Sequence, residues 1–131
     1  MHHRPRLFTY EEASALIPVL RPMLRSIQEQ KRELDKLRLK LEPYTEAMRT
    51  NGHATEAAQL EIKLRNLANS IRAAVTGIQD LGVEMKDLDM GLVDFLAQRN
   101  GRIIYLCWMV DEPQIDFWHE LDTGIAGREL L

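Results

Sequence analysis

The sequence predicts an α+β fold. A long antiparallel helical hairpin over about residues 10–81 is followed by a small three-stranded antiparallel β-meander and tail over about 83–131, in a single domain. Three observations predict it. Apolar residues recur three and four apart on both sides of a short turn-like segment. That period is lost after Gly82, a residue type that commonly ends helices. Asn100-Gly101, a strong two-residue turn signal, then separates two runs with strand character.

The first helix has a start signal. Thr9 is a good N-cap, and Glu12 stands three residues on, the spacing of a capping box. Glu11 and Glu12 suit the positive end of the helix dipole, and Phe8 sits where an apolar residue staples onto the first turn. Pro18 and Pro22 follow. Each removes a helix hydrogen bond and crowds the preceding turn, so the expectation is a kink, or a break after about residue 17 with a restart. From there Leu20, Met23, Ile27, Leu34, Leu37 and Leu41 form a heptad-like seam, with Gln30 in the missing slot. Glu29 with Arg32 and Glu33 with Lys36 place opposite charges one turn apart on the polar face.

Thr50 through Thr55 reads as the connection, with Asn51-Gly52 as its turn and Thr55 as the next cap. The second seam is Leu60, Leu64, Leu67, Ile71, Ala74, Ile78 and Leu81. Two long seams joined by a short connection imply antiparallel helices packed as in a coiled coil. Arms of about 26 residues would each extend roughly 40 Å.

Leu92–Leu96 is a short extended run, and Ile103–Val110 has the composition of a central strand. Asp111-Glu112-Pro113-Gln114 turns the chain, and Ile115–Glu120 is the third strand. If Asn100 and Gly101 are the loop, Asp94 faces Cys107, Phe95 faces Leu106 and Val93 faces Trp108. Val93, Phe95, Ile104, Leu106 and Trp108 then share the face that packs on the helices, and Asp94, Tyr105 and Cys107 share the other. The third strand has two registers. A two-residue loop at Glu112-Pro113 sets Phe117 opposite Trp108 and turns His119 to the apolar face. A one-residue bulge puts Trp118 with Trp108 and His119 near Cys107 and Asp94.

Composition narrows the function classes. No segment approaches the roughly 20 apolar residues of a membrane span. No apolar signal run follows the basic N-terminus, so a cytoplasmic location is expected; His2 and His3 could be a remnant of a purification tag, but two histidines are weak evidence for one. Cys107 is the only cysteine, which excludes an intrachain disulfide and a multi-cysteine zinc site. The net charge of −3 is uneven: residues 77–131 hold four basic against eleven acidic side chains. Phosphate would be repelled there, and the basic excess in the first half is mixed with acids, so no nucleic-acid partner is expected.

In the second register Asp94, Cys107 and His119 could resemble a nucleophile with its base; the ordinary alternative is a core histidine bonded to a carboxylate. Glu84, Asp87, Asp89 and Asp94, with His119-Glu120, form an acidic group that Lys86 would partly neutralise. Asp94, His119 and Glu120 are its weak metal candidates, but the spacing matches no metal motif, so no cofactor is expected. Gly124-Ile125-Ala126-Gly127-Arg128 could cradle an anion, although it lacks a phosphate-loop context; Gly127 and Arg128 could equally cap a carboxylate such as Asp94. Leu24, Leu39 and Ile62 lie off the seams and would be exposed in a monomer, which favours a homo-oligomer, a dimer first, through the helices.

Several segments carry a resemblance. They are Leu7–Ala13 with Pro18, Gly82–Asp87, Gly91–Phe95, Leu106-Cys107-Trp108, Phe117–Glu120 and Gly127-Arg128. In this order they resemble a bacterial family of uncharacterised proteins, domain of unknown function 2203, over nearly the whole chain. Leu96 stands where that family is expected to have proline, and Ile125 where an aromatic is usual. The resemblance implies no activity. It implies that Lys86, Asp87, Asp94, Trp108, Trp118, His119 and Arg128 match the family's polar and aromatic marks. The candidate polar cluster is Lys86, Asp87, Asp94, Cys107, Trp118, His119, Glu120 and Arg128, in a protein expected to be a self-associating interaction or accessory protein without catalytic activity. The alternative is a small metal-binding protein or hydrolase-like enzyme centred on Asp94 and His119.

Overall fold

A computed structural model describes residues 6–44 and 54–131. Helix α1 spans Tyr10–Leu41 and helix α2 spans Ala54–Asp80. A five-stranded antiparallel sheet follows, with strands in chain order: β1 Glu84–Asp87, β2 Leu92–Arg99, β3 Arg102–Met109, β4 Phe117–His119 and β5 Glu129–Leu130. Thr55 lies inside α2 rather than capping it, and the remainder of the expected turn, residues 50–53, is outside the described residues, as are His2 and His3.

The start of α1 follows the local rule. Thr9 Oγ1 accepts the Glu12 N–H at 3.0 Å, and Glu12 Oε1 accepts the Thr9 N–H at 2.9 Å. Of the two outcomes expected at the prolines, a kink or a break, the break is absent: α1 is one helix of 32 residues. Pro18 and Pro22 are four apart and both exposed, so the carbonyls they leave unpaired lie on the solvent side. The opposite stripe, Ala13, Ile17, Leu20, Leu24 and Ile27, is buried on the sheet and α2, and this burial outweighs local propensity. Leu24 is therefore core, not an off-seam surface residue.

Gly82 ends the hairpin in the left-handed region at φ 87°, and its N–H bonds back to Gln79 O. Asn100 and Gly101 both have positive φ, 52° and 77°, which makes a two-residue primed turn and fixes Arg99 opposite Arg102. Every pair up to Leu92 opposite Met109 follows from that turn, including Asp94 opposite Cys107.

The meander has five strands, not three, and the third is shorter than expected. β1 is a charged edge strand, Glu84-Met85-Lys86-Asp87, paired to Leu92–Asp94. β5 is two residues of the tail, returning beside Phe117 and Trp118. Neither has the apolar alternation that marks a strand in sequence. The buried face of the sheet, Val93, Phe95, Ala97, Ile104, Leu106, Trp108 and Trp118, joins the helices in one core. Phe8 enters that core edge-on to Phe95, with ring centres 5.3 Å apart, and its N–H bonds Leu96 O.

Candidate functional site

The face of the sheet turned away from the helices carries the polar residues. β4 pairs with β3 through Tyr105 opposite His119, Leu106 opposite Trp118 and Cys107 opposite Phe117. Of the two registers open to the sequence, this is the one that sets Trp118 inward and His119 outward. Asp94 on β2, Cys107 on β3 and His119 on β4 thus occupy neighbouring strands on one face. They are buried to 2%, 0% and 2% exposure. One donor atom from each lies within 4.8 Å of the other two.

The hydrogen bonds fix the tautomer of His119. Its Nδ1 is 2.6 Å from the Glu120 carbonyl, which only accepts, so Nδ1 carries a proton. Nε2 is 2.9 Å from Asp94 Oδ2, and one proton lies between them. Burial pushes the Asp94 carboxyl upward, opposed by His119, Cys107 and Lys86. The second oxygen, Oδ1, is buried with no N–H or O–H donor. The Cys107 thiol hydrogen-bonds the Asp94 carboxylate and favours its ionised form. A thiol is a weak donor, so this bond is a poor substitute for an N–H or O–H.

Burial, then the negative charge of Asp94, pushes the Cys107 thiol up to about 12. A cysteine nucleophile needs a depressed pKa and a base aimed at sulfur. Here the thiol is protonated and Nε2 is engaged by Asp94, so the trio is not set up for thiolate attack.

A pocket of about 270 Å³ opens over Asp94 and His119. Lys86 and Asp87 stand at its rim. Lys86 Nζ lies 3.1 Å from Glu84 Oε1 and 4.8 Å from the Tyr105 ring centre. Asp87 Oδ1 accepts the Met90 N–H at 2.9 Å. Burial, followed by the Glu84 carboxylate, raises the Tyr105 phenol. The structure thus brings Lys86, Asp87, Asp94, Cys107 and His119 together.

Trp118 and the Glu120 carboxylate lie elsewhere, and Arg128 borders the site only through Nη2, which donates to the Cys107 carbonyl at 3.3 Å. Trp118 packs in the core under Arg99, 4.9 Å from its ring centre. The Glu120 carboxylate pairs with Arg102 at 3.0 Å, and only its carbonyl serves the site. Arg128 caps Glu112 rather than Asp94, at 2.6 and 2.9 Å, and covers the Phe117 ring at 4.0 Å. Sequence reasoning named Gly124 and Ile125 only as part of a possible anion cradle, and it missed Leu121; all three are walls of this pocket. Gly124, at φ 63°, admits the short 3-10 turn Ile125–Gly127 that forms this wall, and the paired glycines were its only local mark.

The fold and the site define an α+β protein with a polar centre on the open face of its sheet. Over residues 6–131 the chain matches the family described as an uncharacterized conserved protein, DUF2203, and it belongs to that family. No curated protein and no solved structure matches it. Among the described residues no helix is long and apolar enough to cross a membrane.

Proposed function

We propose that the protein is a non-catalytic, self-associating interaction protein of the cytoplasm. The outer part of its hairpin packs against the same part of a second copy as a four-helix bundle. One observation carries this reading: the outer part of the hairpin has no third layer among the described residues. Side-chain contacts from α1 to the sheet side end at Lys31, which reaches Asp89 at 3.4 Å, yet α1 continues to Leu41. In that stretch Leu34 and Leu37 are buried, but Leu60, Leu64 and Leu67 are only half-buried. Leu39 and Ile62 are 67% and 50% exposed. A pair of amphipathic helices buries its stripes fully only against a further layer. A second copy offers the same stripes in a two-fold arrangement.

Sedimentation equilibrium tests it. The chain is expected to sediment as a dimer at micromolar concentration. Leu39→Asp with Ile62→Asp is expected to weaken association at least ~100-fold, since two unpaired charges from each copy would enter the interface, with helicity unchanged. A wild-type monomer at the highest attainable concentration refutes it.

A second reading, a metal-binding protein or hydrolase-like enzyme at Asp94 and His119, has support in their buried contact of 2.9 Å. Its hydrolase form lacks an activated nucleophile, as the Cys107 thiol is held protonated.

A further inference from the structure

We propose that Asp94, Cys107 and His119 form a binding site for one divalent transition-metal ion of the zinc type, with a fourth coordination position open to the pocket above them. The three side chains project from adjacent strands onto one face, each at least nine-tenths buried, with donor atoms within 4.8 Å.

Two details point to a ligand rather than to a plain buried ion pair. The first is Asp94 Oδ1, a buried carboxylate oxygen with no N–H or O–H donor. An ion pair with His119 accounts for Oδ2, and the Cys107 thiol offers the carboxylate only a weak donor. The second is the orientation of His119. Its Nδ1–H is spent on the Glu120 carbonyl, so the lone-pair position Nε2 is turned into the cluster. Histidine ligands to metals are commonly held this way, with the far nitrogen bonded to a carbonyl or carboxylate.

Charge selects the ion. A thiolate and a carboxylate contribute two negative charges, and the imidazole is neutral, so a divalent cation leaves the buried centre uncharged. The donor set selects it further. Sulfur and imidazole nitrogen suit zinc and its neighbours, whereas magnesium and calcium prefer oxygen alone. With bonds of about 2.0–2.3 Å, tetrahedral donors sit roughly 3.4–3.6 Å apart. Nε2 and Oδ2, now 2.9 Å apart, would therefore separate slightly while sulfur closes in.

Binding displaces two protons, the one between Nε2 and Oδ2 and the one on sulfur, and M–N, M–O and M–S bonds replace them. Asp94 and His119 line the 270 Å³ pocket together with Tyr105, Leu121 and Ile125, so a fourth position on that side would be open to water or a small ligand.

Cobalt(II) titration of the full chain tests this, with zinc competition. The expected result is one equivalent bound, with tetrahedral d–d bands and a sulfur-to-cobalt charge-transfer band, both abolished by one equivalent of zinc. Cys107 is the only cysteine, so that band reports this site alone. Cys107→Ser and His119→Gln should weaken zinc binding by more than the roughly 10–100-fold that losing an outer hydrogen bond costs. Glu120→Gln should bind as the wild type does, because that carboxylate is committed to Arg102. No charge-transfer band at excess cobalt overturns the proposal. So does zinc affinity unchanged in Cys107→Ser, or lost in a folded Glu120→Gln. Should Cys107→Ser fail to fold, the wild-type cobalt spectrum decides.

Discussion

Removing the Glu112 carboxylate would release the turn that gives β4 its register. Both Glu112 oxygens accept from Arg128 Nη2, at 2.6 and 2.9 Å, and Oε1 also accepts the Met109 N–H at 2.8 Å. The Arg128 and Glu112 side chains are 12% and 17% exposed. In Glu112→Ala the guanidinium stays in place without its counter-charge, beside an Nε that already has no partner. The Met109 N–H loses its side-chain acceptor as well. Breaking a fully buried pair costs about 3–5 kcal/mol, and losing a charged hydrogen bond about 1.5–3 kcal/mol. The residual exposure of this pair places it near the lower figure, at about 2–4 kcal/mol. For a chain of 131 residues this corresponds to a drop in Tm of roughly 6–15 °C. Urea titration followed by far-ultraviolet circular dichroism measures it. Arg128→Ala alone should cost a similar amount, and the double variant less than the sum by about 1 kcal/mol or more. A Glu112→Ala loss below about 0.5 kcal/mol, or strict additivity in the double variant, refutes the reasoning.

Two further predictions concern α1. Pro22 is exposed inside an unbroken helix, so Pro22→Ala should restore a helix hydrogen bond and stabilise by about 1–2 kcal/mol, after allowance for the freer unfolded chain. Lower stability in urea would show that the proline is required there. The capping box makes a pH prediction. Hydrogen bonds from Thr9 hold the Glu12 carboxyl below its ordinary 4.5. Its folded value is thus lower than its unfolded one, and its contribution is present above the unfolded value and lost as pH falls through the folded one. Glu12→Gln should therefore melt lower than wild type near neutrality, with the gap closing in acid. A gap independent of pH contradicts this.

The sequence made some elements readable because their causes are local. The three-and-four spacing of α2, the stop at Gly82 and the turn at Asn100-Gly101 each depend on neighbours in the chain. That one turn indexes all of β2 against β3, which is why Asp94 opposite Cys107 could be read. The register of β4 has no such local cause. The loop before it is held by Arg21, which donates to the Val110 and Glu112 carbonyls, and by Tyr10, whose hydroxyl donates to Ile115 O at 3.0 Å. These partners lie about a hundred residues away in sequence, so chain pattern alone left two registers open. β1 and β5 escaped notice for another reason. Short edge strands with charged or fully exposed residues have no buried face to impose alternation. The prolines did not break α1, because propensity is a local term and the buried stripe of α1 outweighs it.

The same distinction bears on the polar centre. With β4 shifted by one residue, His119 would enter the helix-facing core and Trp118 would turn outward, because side chains alternate along a strand. The Asp94–Cys107 pair would persist, since its own hairpin fixes it, but it would have no histidine. The centre therefore depends on α1 reaching across to the β3–β4 loop, and on Arg128 returning from the tail to Glu112. Elements distant in sequence hold three side chains in a geometry that leaves one buried oxygen without an N–H or O–H donor. A fold that needed only a stable sheet could meet Asp94 with a further donor, or replace it with an apolar residue, and gain stability. That the oxygen is left open, beside a thiol and an aligned imidazole, is the strongest reason to test this face with a metal before the helices are taken as the whole of its function.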